Sequence, residues 1–164
     1  MKALTQSEIR EVVAGVAEDE ARWRPLVRHD PAQRLYEALD PGDAEFEGRL
    51  GLWLICWMDG HDTGFHDHGV SSGTVRVVSG EVLDERPGPG GTIDARTYGA
   101  GESFDFGSWD IHRLSHAGRV PAVSIHAYSP PLERMNAYVV GPGGVLRPTE
   151  VTYGDELRPL DAAA

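Results

Sequence analysis

Two histidines stand two residues apart in the stretch Gly60-His61-Asp62-Thr63-Gly64-Phe65-His66-Asp67-His68-Gly69. Neutral imidazole is the commonest protein metal ligand. On a β-strand, residues i and i+2 share a face. An extended segment here therefore aims His66 and His68 into one cavity and turns Asp67 away; on a loop, the same His-x-His is a polar surface pair. A second pattern with chemical content is Ser124-Ile125-His126-Ala127-Tyr128. On a strand, Ser124, His126 and Tyr128 form a polar face able to hydrogen-bond in series, and Val123, Ile125 and Ala127 form the apolar face behind it. Beside a metal, such a row can hold a phenol in place and manage a proton. Elsewhere it is a satisfied polar row inside a barrel.

The elements that would position these residues belong to a β-rich chain. Its 164 residues suffice for one domain with a core, 40% are apolar and 25% charged, and 20 glycines with 11 prolines imply many tight turns. The balance of 26 acidic against 15 basic residues, a net charge of -11, argues against nucleic acid or an anionic membrane as partner. No apolar run approaches the ~20 residues of a membrane span. Met1 to Asp19 lacks the unbroken apolar region of a signal peptide, and the single Cys56 permits no internal disulfide. A cytoplasmic, unanchored domain is expected, as a monomer or small homo-oligomer.

Along the chain, Thr5 to Arg24 reads as a helix. Thr5 and Glu8 have the capping-box spacing, Ile9, Val12, Val13, Val16 and Ala17 make an apolar stripe, and Pro25 lies just past the end. Asp30-Pro31 resembles a cap and first-turn proline, opening a second short helix through about Leu39. Both helices are expected to pack outside a later sheet. Leu50 to Met58 is a continuous apolar run fit for a central strand. Further strands are expected over Thr74–Val78, Glu81–Asp84, Ile93–Tyr98, Glu102–Phe106, Ile111–Leu114, Ala122–Tyr128 and Met135–Val140. Gly141 to Gly144 opens a tail anchored by Tyr153 and Leu160. The organisation is a helical segment over 1–40, a barrel over 49–141 and a tail over 142–164. Many short strands with regular turns suggest a sandwich or barrel.

Gly60, His66, His68, Gly73 and Gly80 fall at Gly-x5-His-x-His-x4-Gly-x6-Gly. This resembles the first motif of the cupins, which are double-stranded β-helix barrels. The motif's glutamate is missing, Ser72 and Gly73 standing at its possible places. Gly101-x5-Gly107-x-Trp109-x2-His112-x3-His116 follows the second cupin motif. The resemblance makes His112 a third ligand beside His66 and His68, giving three neutral imidazoles and no carboxylate. Such a set leaves a divalent ion its full charge and attracts a thiolate. It does not by itself choose the metal, since zinc hydratase sites also use three histidines. Trp57-Met58-Asp59-Gly60-His61, the His-Asp-His pair and Pro121 to Leu132, with its Ser-x-His-x-Tyr-Ser-Pro-Pro, resemble the cysteine dioxygenase branch of the cupins. The resemblance runs from about Leu50 to Tyr138.

It implies a mainly β fold, a single cupin barrel with N-terminal helices. It also implies a ferrous ion on His66, His68 and His112, cysteine bound through thiolate and amine, and both atoms of dioxygen delivered to sulfur as a sulfinate. Tyr128 would contact substrate or oxygen, with His126 and Ser124 behind it, and Ser129-Pro130 would be cis. Gly73 occupies the place of the cysteine that is cross-linked to the tyrosine in many animal members, so Tyr128 should be unmodified; Cys56 matches a structural cysteine. The substrate carboxylate would meet an arginine, Arg34 by best match and Arg49 as runner-up; a guanidinium grips a carboxylate with two bonds. His61 is expected near the site or its entrance, His116 and His29 at turns or the surface, Trp53, Trp57 and Trp109 in the core or pocket wall, and Asp67 in a structural hydrogen bond. The alternatives are the same chemistry on 3-mercaptopropionate or another small thiol, a zinc, manganese or nickel cupin catalysing isomerisation or hydrolysis, and a non-catalytic cupin that senses a small ligand.

Overall fold

A computed structural model describes residues 2–141 and 145–152; the expected tail anchors Tyr153 and Leu160 lie outside the described residues. The chain opens with helix α1 (Gln6–Glu18), capped by a reciprocal Thr5–Glu8 box. The helical stretch breaks at Asp19, whose backbone is not helical, resumes for one turn as α2 (Glu20–Trp23), and ends in a 3-10 turn over Arg24–Leu26 that carries Pro25. The expected second helix is absent. Asp30 folds into a side-chain turn onto the Ala32 N–H at 2.9 Å, and Leu35–Leu39 is strand β1, paired antiparallel with Leu52–Cys56. The sheet edge offered by the apolar run outweighs a local cap signal, because helix propensity is a weak prior against tertiary pairing.

The remaining strands are β2 (Gly51–Trp57), β3 (Phe65–His66), β4 (Ser72–Ser79), β5 (Glu81–Pro87), β6 (Ile93–Gly99), β7 (Ser103–Phe106), β8 (Arg113–Ala117), β9 (Ala122–Ser129), β10 (Arg134–Val140) and β11 (Leu146–Thr152). They form three sheets, ordered β1-β2-β9-β4-β7, β11-β10-β3 and β6-β5-β8. The fold is mainly β, as expected, with open sheets in place of a closed ring among the described residues. Strand β11 lies within the segment read as tail, and Pro148 is tolerated there because β11 is an edge strand. The Ser129-Pro130 bond is cis. No helix of the described residues is long and apolar enough to cross a membrane.

Two apolar layers follow from the pleat of β2 and β9. Leu52, Leu54, Cys56, Val123, Ile125 and Ala127 face outward and bury against Ile9, Val13 and Val16 of α1. Ile55, Trp57 and Tyr128 face inward with Val75, Val77, Phe106 and Leu114. Gly73 of β4 lies between two neighbouring strands, opposite Tyr128 of β9 on one side and Phe106 of β7 on the other. A Cβ there would stand 2.0 Å from the Ala127 carbonyl oxygen and 2.4 Å from the Phe106 ring. Gly73→Ala is therefore expected to destabilise the protein by about 1–3 kcal/mol, read as a lowered Tm; an unchanged Tm would contradict this packing.

Candidate metal centre

His66 ends β3 and His112 precedes β8. They are joined by a reciprocal backbone pair, His66 N–H to His112 O at 2.9 Å and His112 N–H to His66 O at 3.0 Å. On its other edge His66 pairs with Ala137 of β10. His68 follows after Asp67, whose carboxylate accepts hydrogen bonds from the Gly69 and Asn136 N–H groups, the Asn136 side chain and the Tyr138 hydroxyl at 2.7 Å. Asp67 thus pins the turn to β10 and faces away from the imidazoles. The three imidazoles converge: their ring centroids lie 4.8–5.0 Å apart, and each offers a nitrogen within 4.8 Å of the others.

The donor chemistry fits a divalent cation. His66 Nδ1–H donates to the Gly64 carbonyl at 3.0 Å, and His112 Nδ1–H donates to the Asp84 carboxylate at 2.7 Å, so both rings keep a lone pair on Nε2. The Nε2 atoms of His112 and His68 are 3.4 Å apart. Burial, reinforced by the neighbouring His112, pushes the His66 pKa down to about 3. Burial and the other two imidazoles push His68 down as well. These rings are neutral near pH 7, as metal ligands must be. Asp84 is 3% exposed. Burial alone would raise its carboxyl, but the bonds to His112 and to Arg86 Nε, at 2.8 Å, outweigh it and hold the pKa low. The result is a carboxylate–histidine pair that orients His112 and strengthens it as a donor.

The polar row of β9 lies on the same inward face. Ser124 Oγ is 2.8 Å from His126 Nε2, and His126 Nδ1 is 3.3 Å from the Tyr128 hydroxyl. Behind the row, the Trp57 indole N–H donates to Ser124 Oγ at 2.8 Å. The Tyr128 ring is 5.6 Å from that of His68. Phe106 stacks on His68 at 4.0 Å and meets Tyr128 at 5.6 Å, which makes it a wall shared by both groups. Arg34 is buried just before β1. It donates to the Asp62 carbonyl and lies 5.1 Å above the Trp57 ring, and its charge adds to the burial that keeps His66 and His126 neutral.

Arg49 instead spends its guanidinium on the Lys2 and Glu45 carbonyls, at 3.0 and 3.3 Å, and it is the Arg34 charge that His66 and His126 feel. His61 is buried, accepting the Met58 N–H, and is not among the three converging rings. His116 bonds the Val120 carbonyl and His29 that of Ala122. Trp109, expected in the core or pocket wall, is 76% exposed, on a turn that presents it to solvent. Sequence reasoning passed over Asp84. The signal was its period-two alternation with Val82, which sets a carboxylate on an inward face.

A family model described as cysteine dioxygenase type I matches residues 1–140. Cysteine dioxygenase type 1 of Rattus norvegicus is 24% identical over 140 residues, covering 80% of this chain and 68% of that protein. A Klebsiella pneumoniae protein with a double-stranded β-helix domain superposes with TM-score 0.54 at 15% identity, over 65% of this chain and 80% of that one. A cupin superfamily protein from Desulfitobacterium hafniense superposes with TM-score 0.52 at 14% identity, over 66% and 87%. The fold is therefore the double-stranded β-helix of the cupins.

Two outcomes are expected. Asp84→Asn removes the charge behind His112 and should weaken zinc binding by roughly 10–100-fold in calorimetry; unchanged affinity would free His112 from Asp84. Burial, with His112 and Arg34 adding to it, also holds the His126 pKa well below its ordinary 6.5. The unfolded chain therefore takes up a proton that the folded one refuses. Stability of the metal-free protein should be level above that ordinary value and fall as pH drops below it. His126→Gln should flatten the slope of the urea midpoint against pH, and an equal slope in the variant would contradict this.

Proposed function

The chain belongs to the cysteine dioxygenase type I family, and we propose that it is an iron-dependent thiol dioxygenase converting L-cysteine and dioxygen to cysteine sulfinic acid. The observation that supports this most is the convergence of three buried imidazoles with no carboxylate among them, facing a tyrosine that is itself held by a histidine. His66, His68 and His112 are the residues that would hold the metal. When bound, ferrous iron supplies an electrophilic centre for the thiolate and a redox partner for dioxygen. The net change forms two S–O bonds and breaks the O–O bond. The electrons that sulfur loses are those that dioxygen gains, so no external reductant is required.

The protein's own part is positioning and proton control. Arg34, buried and cationic, receives the substrate carboxylate in two parallel bonds. That contact fixes the thiol end toward the three imidazoles. Tyr128 faces the reacting atoms and exchanges a hydrogen bond with substrate, backed by His126 and Ser124. The apolar wall of Phe106 on His68 and Tyr128 excludes water, which strengthens each of these contacts.

The test is metal analysis combined with oxygen uptake. Iron-loaded protein given L-cysteine should consume dioxygen and release sulfinate. Uptake with 3-mercaptopropionate alone would reassign the substrate to the amine-free thiol acid, and protein that holds zinc tightly and ignores both thiols would end the dioxygenase reading. Tyr128→Phe should lower kcat by roughly 100-fold at unchanged iron content, and Arg34→Ala should chiefly raise KM. Equal kinetics in either variant would remove that residue's role.

A further inference from the structure

Two of the three converging imidazoles have their second nitrogen accounted for. His66 Nδ1 meets the Gly64 carbonyl at 3.0 Å and His112 Nδ1 meets the Asp84 carboxylate at 2.7 Å. His68 differs: its Nδ1 is buried and makes no hydrogen bond. Its Nε2 lies 3.4 Å from that of His112, so Nε2 is the atom turned to the shared centre. With a metal on Nε2, the ring carries its one proton on Nδ1. Metal-bound histidines almost always donate that second N–H, and the acceptor fixes the orientation of the ring. Phe106, stacked on His68 at 4.0 Å, restrains the tilt of the ring but not its rotation within its own plane. An acceptor for the Nδ1 proton should therefore stand close by.

Ser71 supplies one. Its Oγ is likewise buried and makes no hydrogen bond, and the residue is 1% exposed, as is His68. The Ser71 N–H donates to the His68 carbonyl at 2.9 Å, which closes a β-turn with His68 first and Ser71 fourth. The first and fourth Cα atoms of such a turn lie within about 7 Å. The tip of the turn faces solvent, with Val70 74% exposed, so the buried serine hydroxyl sits on the inner side with the imidazole. Gly69, at φ +58°, seats the turn against β10: a Cβ there would stand 3.0 Å from the Arg134 carbonyl oxygen. Ser71 Oγ moves by rotation about one bond between staggered positions, and a hydroxyl oxygen accepts as well as donates. Two buried polar atoms without hydrogen bonds, one a donor and one able to accept, thus stand at the two ends of a single turn.

We propose that Ser71 is the positioning residue of His68: its hydroxyl oxygen accepts the Nδ1–H of the ring and so aims Nε2 at the metal. This rests on His66, His68 and His112 being the metal ligands, and not on which thiol is oxidised. The three rings are then held by three kinds of acceptor, a backbone carbonyl, a carboxylate and a hydroxyl. Ser71 orients its ring without bringing a second negative charge to the centre.

The full-length chain loaded with zinc, which is diamagnetic, tests this. A crystal structure of the unaltered protein should place Ser71 Oγ about 2.7–3.2 Å from His68 Nδ1. A different acceptor on that nitrogen would overturn the proposal, and this result needs no variant to fold. In calorimetry, Ser71→Ala should bind zinc roughly 10–100-fold more weakly, and Ser71→Thr, which restores a hydroxyl, should recover most of the loss. In nitrogen NMR of histidine-labelled Ser71→Ala, the Nδ1–H signal of His68 should move while those of His66 and His112 stay. Unchanged zinc affinity in folded Ser71→Ala, or equal shifts at all three rings, would overturn the positioning role. An unaltered chain that binds no divalent ion would overturn the metal centre and the proposal together. Zinc held with Ser71 on His68, in a protein whose iron-loaded form oxidises no thiol, would support the proposal and defeat the dioxygenase reading alone.

Discussion

The site depends on the reciprocal backbone bridge between His66 and His112. A strand of two residues has little rigidity of its own, yet β3 is gripped on both edges, by His112 on one side and by Ala137 of β10 on the other. Asp67 adds side-chain bonds that hold the turn after it. Each imidazole is then oriented by its surroundings: His66 by the Gly64 carbonyl, His112 by Asp84, and His68 by the face of Phe106. Two segments distant in sequence thereby place three lone pairs together without a charged ligand.

The second constraint is the pleat of β2 and β9, which serves two purposes with one alternation. The outward residues anchor α1 through an apolar layer. The inward ones, Ser124, His126 and Tyr128, would be costly to bury singly, since an unpaired polar group in the interior loses its hydration. In series, ending on the Trp57 indole, they satisfy one another. The same burial keeps His126 uncharged. Gly73 belongs to this arrangement as well: the space where its side chain would stand is filled by Phe106 and the β9 backbone.

Much of this was legible in the sequence because period-two alternation is local. His66 and His68, and Ser124, His126 and Tyr128, declare a shared face without any knowledge of the fold. His112 required the family resemblance, since its partner across the bridge is far away in sequence. The strand at Leu35–Leu39 was misread because Asp30-Pro31 is an adequate helix start in isolation, and only the exposed edge of β2 makes pairing the better choice. Trp109 was misplaced for the opposite reason: aromatic area usually seeks burial, and nothing local marks a turn that faces outward. Asp84 showed only its inward face in the sequence; its pairing with His112, like the donor role of Trp57, is defined by a partner on another strand.

The most direct test of the whole account follows the oxygen atoms. Iron-loaded protein is given L-cysteine under isotopically labelled dioxygen in ordinary water, and the product is weighed by mass spectrometry. The account predicts a sulfinate in which both oxygens carry the label. A product with oxygen drawn from water, or cysteine recovered only unchanged or as its disulfide, would contradict it.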